Sequence, residues 1–458
     1  MITSPAFAGK RYAVLGLARS GLATVNALLA SEAEVTAWDR QDNARDKVAG
    51  RVELADPLET DLTGYAGVVV SPGVPLNTHP ISAHAAKYGV PVIGDIELFA
   101  QARASLPPHK VVGITGTNGK STTTALVHHI LKEAGVPTLM GGNIGIPIME
   151  QEPLPEGGVY VLELSSYQID LTQSLDCDVA VLLNITPDHL DRYDGSFEKY
   201  AASKARLFAM QSAGHNSIAR FTDARSLGRF AEGSIASVLE DVLRHRGVDA
   251  GEQDEWPSLQ GPHNLENAAA AIEVCDILGV TLERIRESLR TFTGLPHRME
   301  LVADHGGVLF INDSKATNQA SAAPALAAYP ADPAINDGAP RIHWILGGLP
   351  KEPGLQECEA HLGNVAAAYT IGDAGPAFAD ELEGKGTRVS RSEMLCEAVK
   401  QAMDAARPGE VVLLSPACAS FDQFKDYEAR GDQFRSIVRA LTSGEYETGD
   451  AVCCEIGA

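Results

Sequence analysis

Several features are scarce in this 458-residue chain, and each shortage narrows what it can be. No run of about 18 apolar residues occurs, the length a helix needs to cross a bilayer, so no membrane span is expected. Met1 to Lys10 has no long apolar core, so no signal peptide is expected either. Positive charge is short. Lys and Arg number 37 against 60 Asp and Glu, a formal net charge of −23. That speaks against a nucleic-acid binder, whose partner asks for a basic face. The seven cysteines, at 177, 275, 358, 396, 418, 453 and 454, show no metal-ligand spacing. Their scatter suits a reducing, cytoplasmic location. The tail from about Ser443, with Cys453 and Cys454 side by side, has no assignable role. What is present is ordinary for a globular protein, 45% hydrophobic and 21% charged, with a length for two to four domains.

An acidic protein that binds an anion must gather its few cations at the site. Lys110 to Thr124, KVVGITGTNGKSTTT, does this. Val111, Val112 and Ile114 read as a buried strand, Gly116-Thr117-Asn118-Gly119 as a turn, and Lys120-Ser121-Thr122 as the start of a helix. That helix has apolar positions at Val127, Ile130, Leu131 and Ala134 and stops at Gly135. Strand, glycine loop, lysine, hydroxyl and helix form a polyphosphate grip. Backbone N–H groups and the positive helix end face the anion, Lys120 adds a charge, and Ser121 can reach magnesium. The usual P-loop spacing would put glycine at 114, where this chain has Ile114.

Recurring α/β units flank this stretch. Residues 12–17 predict a strand, Gly16 to Gly21 a turn into a helix through Ala30, and Val35 to Trp38 a second strand ending at Asp39. The pattern is that of a dinucleotide fold, but Ala18 breaks G-x-G-x-x-G. A nicotinamide site, another nucleotide's diphosphate and a bare Rossmann-like scaffold all remain open at this point. Gly67 to Val70 is a strand capped by Ser71-Pro72-Gly73, and PVIGDIELF (91–99) closes the unit before a linker at Ser105–Pro108. Next come a glycine turn at Gly141–Gly145, a strand at Val159–Leu162 running into Glu163, and a strand at Val179–Ile185 followed by TPDHLD. Glu163 at a strand end suits a magnesium ligand, and His189 lies between acids. Lys204 sits in a helix predicted over Phe197–Met210, and part of Asp241–Glu255 reads as an exposed loop. Asn264 and Asn267 share one helix face. After Arg298, strands at Val308–Asn312, Ile342–Leu346, Ala368–Ile371 and Val411–Leu414 predict another Rossmann-like sheet.

GTNGKST, ELSSYQ, NITPDHLDRY, GPHNLENAAAA, GLPHRME, NDSKATN and SPACASFDQF follow one another in order. Over about residues 10–440 this series resembles the Mur ligase family, most closely its D-glutamate-adding branch. The resemblance implies an α/β fold of three domains. These are a Rossmann-like substrate domain (1–99), a central P-loop-type ATPase with a mostly parallel sheet (100–297) and a Rossmann-like amino-acid domain (298–458). It also implies a reaction in which ATP phosphorylates the carboxylate of UDP-N-acetylmuramoyl-L-alanine and the amine of D-glutamate displaces the phosphate. The resemblance puts Gly116, Thr117, Asn118, Gly119, Lys120, Ser121 and Thr122 on ATP. Asn264, Asn267, Arg298, Asp313 and Lys315 join them, so that ATP would lie where two domains close. Two magnesium ions would involve Ser121, Glu163, His189 and Lys204, with Lys204 carbamylated. Lys120, His189 and Lys204 would be catalytic. Leu17, Ala18, Arg19, Asp39, Arg40, Ser71, Asn143 and His189 would hold the UDP-linked substrate, and Thr317, Lys351, Ser420, Phe421 and Tyr427 the D-glutamate. A monomer working without nucleic acid or membrane is implied. The rivals are a sibling Mur ligase, a folylpolyglutamate synthetase and, on Gly16 to Asp39 alone, a nicotinamide-dependent oxidoreductase.

Overall fold

Short apolar runs become parallel strands here, and the glycines after them turn the chain into helices. A computed structural model describes residues 1–188, 190–219, 235–351 and 353–443, with backbone only at 235–241. His189, Glu352, residues 220–234 and the tail from 444 lie outside the described residues. The chain divides into two units, Met1–Asp249 with Glu266–Ser288, and Ala250–Leu265 with Leu289–Ala458.

The first unit carries two sheets. In one, β1 (Arg11–Leu15), β2 (Glu34–Trp38), β3 (Glu53–Leu54), β4 (Tyr65–Val70) and β5 (Val92–Ile93) lie in the order β3-β2-β1-β4-β5. All pairs are parallel. Helix α1 (Arg19–Ala30) follows β1. The first strand ends at Leu15, two residues earlier than the apolar run, because Gly16 already turns at φ +92°. A Cβ on Gly21 would run into Gly16 O, so only glycine lets α1 pack so close to that turn.

Helix α2 (Asp95–Ala102) leads to the second sheet. Its strands are β6 (His109–Thr115), β7 (Thr138–Gly142), β8 (Gly158–Glu163), β9 (Val179–Leu182), β10 (Asn216–Ala219) and β11 (Ile235–Val238), in the order β11-β10-β9-β6-β8-β7, again parallel throughout. Helix α3 (Lys120–Glu133) follows β6, and helix α4 (Phe197–Ala209) lies between β9 and β10. Gly141-Gly142 does more than turn, since it ends β7. A Cβ on Gly142 would strike the backbone of Glu163. Within residues 241–255 the loop is confined to Gly247–Asp249, where Gly247 and Asp249 are exposed. On either side lie helix α5 (Leu239–Arg246) and a 3-10 turn (Ala250–Glu255). The charges that suggested solvent are partly spent on ion pairs, Arg246 with Glu273 (2.8 Å) and Asp276 (2.6 Å). Those acids lie on helix α6 (Pro262–Ile277).

One apolar cluster joins the two sheets of this unit, from Ile2 and Phe7 through Phe99 to Tyr160 and Leu164. The Phe99 and Tyr160 rings lie 5.0 Å apart. Glu97 adds a polar clamp from α2. Its buried carboxylate accepts from Gln173 N (2.7 Å), Ser174 N (2.9 Å) and Ser174 Oγ (2.7 Å).

The second unit holds a sheet of β12 (Glu300–His305), β13 (Val308–Asn312), β14 (Ile342–Gly347), β15 (Val365–Ile371), β16 (Val389–Glu393) and β17 (Val411–Leu414). The order is β12-β13-β17-β14-β15-β16, with only β12 antiparallel among the described strands. The two edge strands were not evident from sequence, because half-exposed edges lack the continuous apolar run of buried parallel strands. Helix α7 (Tyr427–Ser443) packs on this sheet through Phe434, Ile437 and Val438. No helix among the described residues is long and apolar enough to cross a membrane.

Glu97→Ala would strand two backbone donors and a hydroxyl in the first unit. It should cost about 2–4 kcal/mol in denaturant unfolding, and a loss under about 0.5 kcal/mol, typical of an exposed site, would contradict the clamp.

Candidate active site

The loop after β6 is built to leave donors open. Gly116 sits at φ +155° and Gly119, the residue before α3, at φ +83°. No side chain caps α3, so its first amides can turn to an anion. A Cβ on Gly119 would strike Asn267 Oδ1, which also accepts from Thr123 Oγ1 at 3.3 Å. The segment after β9 straps the loop in place. Asn184 accepts from Asn118 N (2.8 Å) and donates to Asn118 O (3.1 Å), and its own carbonyl takes Thr117 N (2.9 Å). Thr117 Oγ1 bonds Thr186 and Tyr200 Oη. Asn184 and Tyr200 were not singled out from sequence, since their role depends on contacts 66 and 83 residues away.

Two ammonium groups meet on this loop. Lys120 Nζ donates to Gly116 O (3.0 Å) and Thr117 O (2.8 Å). Lys204 Nζ, from α4, donates to the same Gly116 O (2.9 Å) and lies 4.7 Å from the Tyr200 ring centre. Lys204 is 1% exposed. Burial first, and the Lys120 charge second, push its pKa down to about 7. Parallel pairing sets Glu163, the last residue of β8, opposite Ile114. Its Oε1 accepts from Asn143 Nδ2 (3.0 Å), while Oε2 is buried with no hydrogen-bond partner among the described residues. Ser121 is buried in the first turn of α3 and Thr122 half-buried beside it. No group of three or more His, Cys, Asp or Glu able to hold a metal occurs among the described residues, and His189 lies outside them.

The loops of the first sheet reach the same region. Leu17 is buried, and Ala18 precedes α1 without a side-chain cap. Asp39 spends both carboxylate oxygens on backbone, accepting from Leu17 N (2.7 Å) and Gln41 N (2.9 Å). It therefore shapes the Gly16 turn. Ser71 Oγ donates to Gly16 O (3.1 Å). Arg19 Nη2 reaches Gly145 O (2.8 Å), which brings the α1 start to the exposed turn that carries Asn143. Arg40 is exposed.

In the second unit, Asp313 is buried after β13. It accepts from Met299 N (3.2 Å) and Ser415 Oγ (2.9 Å), and burial pushes its pKa up to about 7. Arg298 Nε is buried without a partner among the described residues. Lys315 N donates to His297 O (2.9 Å), and its ammonium lies 5.7 Å from the Tyr427 ring centre. Asn264 Nδ2 donates to Gln260 O (3.1 Å). Lys351 Nζ donates to Thr317 Oγ1 (3.0 Å), pairing two expected amino-acid ligands. Ser420 is buried, whereas Phe421 is 68% exposed. Arg430 was missed in the sequence. Its buried guanidinium donates to Ser314 Oγ (2.9 Å), Ser314 O (2.9 Å), Cys418 O (3.1 Å) and Ala419 O (3.3 Å). It thus ties NDSKATN to SPACASFDQF.

Comparison with known proteins bears on this geometry. Residues 10–94 match the N-terminal domain described as Mur ligase MurD-like, residues 114–240 the Mur ligase middle domain, and residues 297–418 the Mur ligase glutamate ligase domain. The UDP-N-acetylmuramoylalanine–D-glutamate ligase of Novosphingobium aromaticivorans is 65% identical over 443 residues, covering 96% of this chain and 97% of that protein. The protein of the same name from Zymomonas mobilis is 54% identical, covering 96% of this chain and all of its own length. Among solved structures, the UDP-N-acetylmuramate–alanine ligase of Thermotoga maritima has a TM-score of 0.54 at 17% identity, over 95% of this chain and 99% of that one, a likeness of fold.

The raised Asp313 pKa has a testable sign. Its ordinary value is 3.8, so the fold holds this proton more tightly than the unfolded chain does. That contribution is full below the ordinary value and is lost as pH climbs toward 7. Asp313→Asn removes it. The stability of the variant relative to the parent should therefore rise across this window in urea unfolding, and a constant difference would contradict the burial argument.

Proposed function

The chain belongs to the Mur ligase family, and from that premise we propose that it is an ATP-dependent ligase joining D-glutamate to UDP-N-acetylmuramoyl-L-alanine in peptidoglycan precursor synthesis. The near full-length similarity to D-glutamate ligases carries the reading. The geometry supports its chemistry, since two lysines, a buried carboxylate and a strand-to-helix phosphate loop share one unit.

The reaction must bring two anions together. A carboxylate oxygen attacks the γ-phosphorus, the bond to the ADP oxygen breaks, and an acyl phosphate forms. The amine of D-glutamate then attacks the acyl carbon. Phosphate leaves from the tetrahedral intermediate, a proton is lost from nitrogen, and an amide remains. Gly116 to Thr122 would hold the phosphates, with Lys120 leaving its loop carbonyls to follow the charge that develops on phosphorus. Asn264, Asn267, Arg298, Asp313 and Lys315 are proposed to contribute to nucleotide binding. Thr317, Lys351, Ser420, Phe421 and Tyr427 are proposed for D-glutamate, where Lys351 suits a carboxylate. Leu17, Ala18, Arg19, Asp39, Arg40, Ser71, Asn143 and His189 are proposed for the UDP-linked substrate, with His189 toward its reacting carboxylate and Asp39 also ordering the loop amides.

Glu163 and Ser121 fit magnesium. The Glu163 oxygen, buried without a partner among the described residues, is an acceptor suited to a cation. Magnesium that takes most ligands from phosphate and water needs only one or two from protein. Bound there, it would supply positive charge to the phosphoryl group and the substrate carboxylate. His189 is proposed beside a second ion. Carbamylation of Lys204 is part of the reading. Its ammonium would first lose a proton, and the neutral amine would then bond to carbon dioxide and lose a second proton, so that one of two crowded cations is replaced by an anion. The enzyme would act as a cytoplasmic monomer, where ATP and the UDP-sugar are found.

Phosphate release measured with ATP, magnesium, UDP-N-acetylmuramoyl-L-alanine and single amino acids tests the reading. Dependence on D-glutamate is expected. Turnover with another amino acid alone would favour a sibling ligase, and none with any would sink the assignment. Lys120→Ala should lower kcat by about a thousandfold, the scale of a lost phosphate-stabilising charge, with an unchanged melting temperature. Near-normal turnover would remove the loop from its central place.

A further inference from the structure

Arg192 is given no role in the reading above, yet the motifs ELSSYQ and NITPDHLDRY and the loop after β4 meet on this side chain. It is the third residue of a 3-10 turn, Leu190–Tyr193. Its Nη2 donates to Val74 O (3.0 Å) and Pro72 O (3.3 Å), in the loop that begins at Ser71. Its guanidinium lies 4.2 Å from the ring centre of Tyr167, four residues after Glu163. A second tie runs alongside, from Asn77 Nδ2 to Asp191 O at 2.9 Å. We infer that Arg192 is a positioning residue for the UDP-sugar substrate, setting the distance between the Ser71–Val74 loop and the segment from Asp188 onward.

The inference rests on the proposed function, which places the UDP end near Ser71 and the reacting end of the same substrate near His189. A substrate gripped at both ends reacts well only if the two grips are held at its own length, because small misplacements are costly in rate and binding. A planar guanidinium suits this task. It can donate to carbonyls at its edge while its face rests on an aromatic ring. A purely structural strap is the competing role, but the two sheets are already joined by a continuous apolar cluster and by Glu97. Arg192 is not needed to hold them together. Its contacts fall instead on the loops that carry expected ligands.

The test compares Arg192→Met, Arg192→Lys and Asn77→Ala with the parent enzyme. Met keeps the apolar stem and removes the donors, so KM for UDP-N-acetylmuramoyl-L-alanine, and its calorimetric Kd without ATP, should rise about tenfold or more, the scale of one charge-assisted hydrogen bond. KM values for ATP and D-glutamate should stay within about twofold, and the melting temperature within about 2 °C. Lysine should restore part of the affinity, since one ammonium can donate to both carbonyls. Asn77→Ala should shift the same constant by less. A uniform rise in all three KM values, a loss of melting temperature alone, or no change would overturn the inference. Failure of D-glutamate turnover in the parent would sink the reaction but not this comparison, because the calorimetry needs neither ATP nor D-glutamate. A parent that does not bind the UDP-sugar would overturn both.

Discussion

Lys120 and Lys204 reach one acceptor, the carbonyl oxygen of Gly116, at 3.0 and 2.9 Å. Two ammonium groups so placed repel each other, and one of them is buried out of water's reach. Burial and this repulsion lower the charge Lys204 carries, Asp188 and Asp170 offset part of it, and an arriving anion or a removed charge would relieve the rest. The proposed chemistry supplies both, a polyphosphate for Lys120 and a carbamate on Lys204. In a chain of net charge −23, this local concentration of positive charge is what lets two anionic reactants come together.

Much of the first unit serves to hold that crowded point still. Glycines at 116 and 119 give the loop angles that L side chains rarely adopt, and Asn267 fills the space that a Cβ at 119 would need. Asn184 and Thr117 fasten the loop to the strand beside it. Parallel register brings Glu163 opposite Ile114, so the acid follows from the order of strands. Asp39, Arg19 and Arg192 repeat the principle farther out, where charged side chains order loop backbone. The second unit does likewise with Arg430, which gathers two expected ligand loops through four hydrogen bonds.

The strand, loop, lysine and helix of Lys110–Thr124 were legible because all their chemistry is local. Parallel strands were legible as apolar runs, and Glu163 stood out by ending one. Edge strands β12 and β16 were not, because one side of each meets no partner and the pattern fades. Glu97, Asn184, Arg192 and Arg430 were invisible for a different reason. Each has a decisive partner 66 to 120 residues away in the chain, which no local pattern reveals. Asp39 was legible as a position, whereas the two loop amides it orders, Leu17 N and Gln41 N, were not.

The central claim is that this cluster of positive charge joins a carboxylate to a phosphoryl group before any amide forms. Labelling the alanine carboxylate of UDP-N-acetylmuramoyl-L-alanine with oxygen-18 and following turnover by mass spectrometry of the released phosphate tests it directly. One labelled oxygen should pass to each phosphate, since the oxygen that attacks phosphorus leaves with it. Phosphate free of label, with the amide still formed, would contradict the account.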